Sequence, residues 1–331
     1  MSCSIVRLGR SSPMHIPDGF VDGKTAVAAG VLSTIGLGVA VRRVRREISP
    51  RRMPLLGLAA AFLFAAQLVN FPVAGGTSGH LLGSVLVAAL LGPSAAVVVV
   101  ATVLIVQCLL FADGGLSALG SNLFDMGILS TAGGYLVYRT LVRHLRGLRG
   151  QIAAIAFAGW FSVVLASVGC AGQLAWSGTV ALTTGLPVMA ALHMLIGLGE
   201  GLISALVFLA IHRVRPELTA ALPSAGPGKA AASTWEYGLC AALGIALFVA
   251  PMASPWPDGL ARVASRLGFA DKAAAPLVPA VAAHYHLPGV HSATVATALA
   301  GGLGTIIVFV LALVLGRILV PTPPATRDSS C

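Results

Sequence analysis

Charge is scarce in this chain. Asp, Glu, Lys and Arg make up 10% of its 331 residues, where soluble domains carry about 25%. Hydrophobic residues reach 57% and gather in runs of roughly 20, the length that crosses a bilayer as helix. An ordinary soluble domain is thereby excluded. The runs also lack the apolar/polar alternation of outer-membrane strands; they are apolar throughout and rich in Ala, Leu, Val and Gly. C-x-x-C pairs are absent. Of the five cysteines, Cys108, Cys170 and Cys240 lie inside apolar runs, where a thiol serves as a small hydrophobe. No P-loop is present: Gly23-Lys24-Thr25 has Asp18 where the first glycine is required, and Gly226-Pro227-Gly228-Lys229 runs into Ala230. The chain therefore carries no ATPase signature, and no Ser, His and Asp sit together as a hydrolase would need. Residues 1–13 lack the apolar core of a secretory signal, about 7–15 residues long.

What is present reads as an all-α, polytopic helical membrane protein of nine spans, at about 24–41, 54–71, 80–92, 94–112, 121–142, 151–174, 185–212, 237–253 and 299–320. The net charge of +10 is confined to clusters beside these runs, which favours cytoplasmic loops over a nucleic-acid surface. With the N-terminus outside, 15 of the 21 Lys and Arg residues fall on the inner side, among them Arg42, Arg43, Arg45 and Arg46 after the first span. A Pro-, Gly- and Ala-rich stretch divides the chain into seven spans and two. The expected organisation is a membrane domain at 14–215, a cytoplasmic linker at 216–235 and a two-span module at 236–331.

Two polar islands interrupt the apolar pattern on the predicted outer face. One is Met14-His15-Ile16-Pro17-Asp18-Gly19-Phe20; the other runs from Asn70 to His80. A chain starting at Met14 would offer three nitrogens in one plane: the α-amine, the deprotonated amide of His15 and the His15 imidazole. His80 could supply a fourth. An all-nitrogen tetragonal set suits Ni(II) or Cu(II), with Co(II) close in size but less bound to a plane. Pro17 holds Ile16 extended, Gly75, Gly76 and Gly79 permit close backbone approach, and Thr77 and Ser78 are placed to orient the His80 ring. The bland reading is two solvated loop histidines, since their spacing matches no standard ligand pattern.

Met14–Phe20, Val69–Pro72 with Gly75–Gly83, Phe111–Leu116, Ala118–Asn122 through Met126-Gly127, and His193 to Gly201 together resemble the CbiM/NikM family, over about residues 14–215. These are the metal-capturing membrane components of energy-coupling factor (ECF) transporters for cobalt and nickel. The resemblance implies a non-enzymatic subunit of the bacterial cell membrane that takes Ni2+ or Co2+ as cargo. Its partners would be a transmembrane coupling (T) subunit and ATPase (A) subunits. The implied ligands are Met14, His15 and His80. Asn122 and Asp125 join Thr77 and Ser78 as residues that could hold those ligands in place, Asp125 standing where the family more often has Asn. Because the family's Met is the first residue, residues 1–13 are expected to be a misassigned start or a removed leader. The tail, with Ser254-Pro255-Trp256-Pro257-Asp258-Gly259-Leu260, resembles the NikN/PDGLE-type module, Ala261 replacing the Glu of its name.

Three further groups stand out. Ala26, Gly30, Thr34 and Gly38 form a ridge of small residues on the first span, suited either to internal packing or to docking on a partner subunit. His193 and Glu200 share one face of a later span and read as structural, the alternative being that they sense the metal site. His284, His286 and His291 read as solvated or as metal collectors. The competing functional reading is a stand-alone secondary metal transporter or channel.

Overall fold

The computed structural model describes residues 14–219 and 234–319. The expected leader, most of the expected linker and the last twelve residues, 320–331, lie outside them. The chain is an all-α polytopic membrane protein. Six helices among the described residues are long and apolar enough to cross a membrane. Five are continuous α-helices: α1 (Gly23–Glu47), α4 (Pro93–Phe111), α7 (Gly147–Trp176), α8 (Leu182–Val214) and α11 (Ala293–Leu319). The sixth runs Trp235–Met252 and begins as α9 (Thr234–Gly244).

The sequence predicts nine crossings; the other three expected spans are shorter or less apolar than these six. The helix α2 (Met53–Gln67) stops where Phe71–Val73 (β1) enters a hairpin with Thr77–Gly79 (β2). The helix α3 (Ser84–Leu91) has eight residues and rises only about 12 Å, against a hydrocarbon core near 30 Å. It starts late because Glu200 on α8, fully buried, accepts the main-chain N–H groups of Leu82 (2.6 Å) and Gly83 (2.9 Å). With those donors satisfied, residues 80–83 stay out of the helix. The expected span at 121–142 is one helical run in which α5 (Leu119–Asn122) passes through a π-helical turn at Leu123–Leu129 into α6 (Ser130–His144).

Packing follows the rule of small residues in lipid-facing bundles. The helices α7 and α8 form a close pair in which Gly197 and Gly201 lie against the main chain of Trp160 and Ala156. The helix α4 is the central one and is almost wholly buried. On α1 the face turned to the bundle carries Thr25, Ala29, Ser33, Ala40 and Val44. Within the small-residue ridge, Gly30 presses its main chain against Gly120 of α5, while a side chain added at Gly30 or Gly38 would meet open space.

The tail packs back on the first part. The helix α11 lies along α2, which also receives α9. Between α9 and α11 a long segment, with α10 (Gly259–Leu267), covers the end of the bundle where the two polar islands meet.

Candidate metal centre

The first polar island folds downward because its main chain is tied to the segment after α4. Asn122 accepts from the Ile16 N–H (2.9 Å) and donates its amide to the Ile16 carbonyl (3.0 Å). Gly115 N–H donates to the same carbonyl at 2.9 Å. Asp18 accepts from the N–H (2.8 Å) and hydroxyl (2.6 Å) of Ser117. Gly114 turns the chain beneath His15 with φ +97°, and a side chain there would sit 3.0 Å from the His15 Cβ. Glycine suits both demands.

Met14 and His15 are buried as a result, His15 with 2% exposure. Both point nitrogen at one oxygen. The Met14 N–H donates to Asp113 Oδ1 at 2.8 Å, and His15 Nδ1 lies 3.2 Å from the same atom. The latter is an ion-pair distance without hydrogen-bond geometry, so neither ring nitrogen of His15 has a hydrogen-bond partner. Buried polar atoms are nearly always paired, and two orphans on one ring are unusual. Tyr285, from the tail, donates its hydroxyl to Asp113 Oδ2 at 2.8 Å and stacks on Phe111. Burial pushes the Asp113 carboxyl upward. The His15 ring and the bonds from Tyr285 and Met14 more than offset it, and the group is held below the usual carboxylate range.

His80 follows β2. Its ring centroid lies 5.6 Å from that of His15, edge to face at 67°. Its Nδ1 is 3.2 Å from Asp258 Oδ1. Burial disfavours the charged ring, but the charge of Asp258 and its hydrogen bond prevail and raise the pKa. The hydroxyls of Thr77 and Ser78, expected to orient this ring, donate instead to the carbonyls of Pro257 (3.0 Å) and Trp256 (2.8 Å). Asp125, in the π-helical turn, accepts from Gln173 at 2.7 Å, and its second oxygen is without a partner.

A cavity of about 90 Å³ is lined by Met14, His15, His80, Asp125, His193 and Asp258, among others. His193 of α8 has its Nδ1 2.8 Å from the Met189 carbonyl. A carbonyl only accepts, so Nδ1 carries the proton and a neutral ring keeps its lone pair on Nε2. Among the described residues no three or more His, Cys, Asp or Glu side chains are placed to hold a metal ion. His284, His286 and His291 do not line the cavity; Tyr285, between the first two, bonds Asp113 behind Met14 and His15.

Sequence reasoning overlooked Asp113 and Asp258 as members of this cluster and favoured a structural role for His193 over sensing of the metal site. A signal was available for the two carboxylates. The chain has only 11 acidic residues, and Asp113 and Asp258 each sit in a polar break between apolar runs.

The chain is similar to known metal-transport proteins. The family described as "Cobalt uptake substrate-specific transmembrane region" matches residues 15–218, and the PDGLE domain matches residues 232–321. A putative fused nickel transport protein NikMN of Archaeoglobus fulgidus is 37% identical over 306 residues, covering 92% of this chain and 98% of that protein. The fused nickel transport protein NikMN of Rhodobacter capsulatus is 30% identical, covering 72% of each chain. The crystal structure of a truncated transition metal transporter superposes with a TM-score of 0.56 at 28% identity, covering 61% of this chain and 99% of that one. The chain is a transport protein and not an enzyme: it belongs to the CbiM/NikM family of substrate-specific membrane components of cobalt and nickel ECF transporters, fused here to a PDGLE/NikN-type module.

Proposed function

We propose that this chain captures Ni2+ or Co2+ at the outer face of the cell membrane for an ECF-type importer. In this reading the metal is held by the Met14 amine, the His15 amide and imidazole, and the His80 imidazole. The observation that carries it is the buried His15 ring, whose Nδ1 makes only an ion-pair contact with Asp113 and whose Nε2 has no hydrogen-bond partner, 5.6 Å from the His80 ring. Since no set of three acidic, thiol or imidazole side chains is placed to hold an ion among the described residues, main-chain nitrogen is the natural complement. That requires Met14 to be the first residue of the working protein, with residues 1–13 absent from it. Asp113 then serves as the collecting point. Its oxygen draws the Met14 and His15 nitrogens together until a cation takes their lone pairs.

The proposed orientation has the N-terminus outside, on the distribution of Lys and Arg. The proposed division is 14–215, 216–235 and 236–331. A T subunit and A subunits would supply docking and ATP hydrolysis, the ridge Ala26, Gly30, Thr34 and Gly38 being the surface offered to them.

The experiment is Ni(II) and Co(II) titration of the purified chain after N-terminal sequencing. Preparations starting at Met14 bind either ion, and His15→Ala and His80→Ala each abolish binding. Wild-type affinity in His80→Ala, or binding by a chain that retains residues 1–13, overturns the ligand set. Metal uptake by cells that lack the A subunits would favour a stand-alone transporter.

A further inference from the structure

We infer that Asp258, carried by the appended module, is a positioning residue for the His80 ring, so that the second part of the chain completes the metal site of the first. The inference rests on the reading of His80 as a ligand and goes beyond it.

Five observations carry it. Asp258 is buried, with 5% exposure, and among the described residues its ion pair is with an imidazole rather than with Lys or Arg. Its Oδ1 is 3.2 Å from His80 Nδ1. A carboxylate oxygen facing Nδ1 accepts from it, so in the neutral ring that binds metal Nδ1 carries the proton and Nε2 keeps the lone pair. Carboxylates do this for metal-binding histidines generally, fixing tautomer and ring orientation.

Asp258 also stands at the N-cap of α10, a position where Asp ordinarily accepts from the first free N–H groups of the helix. Here its side chain makes no capping bond. It turns to His80 instead. The main chain that carries it is locked to the hairpin that carries His80. Ser78 N–H donates to the Pro257 carbonyl (2.9 Å), Ser78 Oγ to the Trp256 carbonyl (2.8 Å), and Ser78 and Asp258 form a parallel bridge. His80 lies two residues beyond Ser78, so ligand and carboxylate are registered by the same short ladder. Finally, Gly259 lets this turn close: a Cβ there would lie 2.7 Å from Ile196 Cδ1 and 3.0 Å from His193 Nε2.

The test is Asp258→Asn, which keeps the volume and removes the charge, in the full chain with Ni(II) or Co(II) alone as probe. Its control is Arg262→Ala, which removes a different tie between module and hairpin, the bond from Arg262 Nη2 to the Gly75 carbonyl. We expect Asp258→Asn to weaken metal binding by about tenfold to a hundredfold and to alter the visible absorption of bound Co(II). Arg262→Ala should leave both as in the wild type. A loss in Asp258→Asn below that range overturns the inference. So does an equal loss in Arg262→Ala, since the module would then act only by holding the hairpin. If His80→Ala abolishes binding while Asp258→Asn does not weaken it, only this inference fails. If His80→Ala binds normally, the ligand set itself fails.

Discussion

Asn122 shows how much one side chain decides at this site. Its amide satisfies both polar groups of Ile16 at once, which fixes the main chain next to His15. Asn122→Ala would strand the buried Ile16 N–H, a loss of about 1–3 kcal/mol. The expected outcome is a lower unfolding midpoint in detergent and weaker Ni(II) binding, read by a thermal melt and a titration on the same preparation. An unchanged melt would remove Asn122 from the framework. The same scale explains why Asn122 was visible in the sequence and Asp113 was not. Both lie in stretches that resemble the family, but Asn122 is polar within an apolar run, whereas the importance of Asp113 comes from two nitrogens brought to one oxygen across 98 and 99 residues.

Elements follow less directly from apolar runs than residues do from motifs. The long runs became α1, α4, α7, α8 and α11 because backbone groups in lipid must pair within a helix. The shorter ones gave way where buried polar side chains offered partners. Glu200 holds the Leu82 and Gly83 N–H groups out of α3, and the Leu123–Leu129 segment relaxes into a π-helical turn, a feature frequent at functional sites. The helix α1 belongs to this scale as well. Its bundle-facing residues are Thr25, Ala29 and Ser33, while Thr34 and Gly38 remain exposed. Gly38→Leu would fill that open side. The proposal expects it to reduce co-purification with the T subunit several-fold and to leave metal affinity as in the wild type. Equal loss of both would place Gly38 in the fold rather than in docking.

At the scale of the whole molecule the tail is built into the first part rather than appended beside it. The helices α9 and α11 pack on α2, Ala274 N–H donates to the Asp18 carbonyl at 2.8 Å, and Tyr285 bonds Asp113. His284 and Tyr285 adopt left-handed backbone, φ +53° and +58°, a conformation that side-chain-bearing residues hold only where surroundings enforce it. Contacts of this extent predict that the covalent link is dispensable. A chain divided between residues 219 and 234, with both pieces co-expressed, should co-purify on a tag attached to either piece. Its metal affinity should match that of the intact chain, and the first piece alone should bind more weakly. Separation of the pieces in mild detergent would count against the packing described.

Apolar length and arginine placement determined the membrane class, and joint motifs determined the family. Both are local properties, readable wherever residues stand in the chain. The ligand candidates His15 and His80 were legible for the same reason. What only the tertiary structure decided is who supports them. Asp113 beneath Met14 and His15, Asp258 beside His80, and Tyr285 behind Asp113 are partners 98 to 178 residues apart. No periodicity encodes such separations. They arise because scarce polar groups excluded from lipid must find one another.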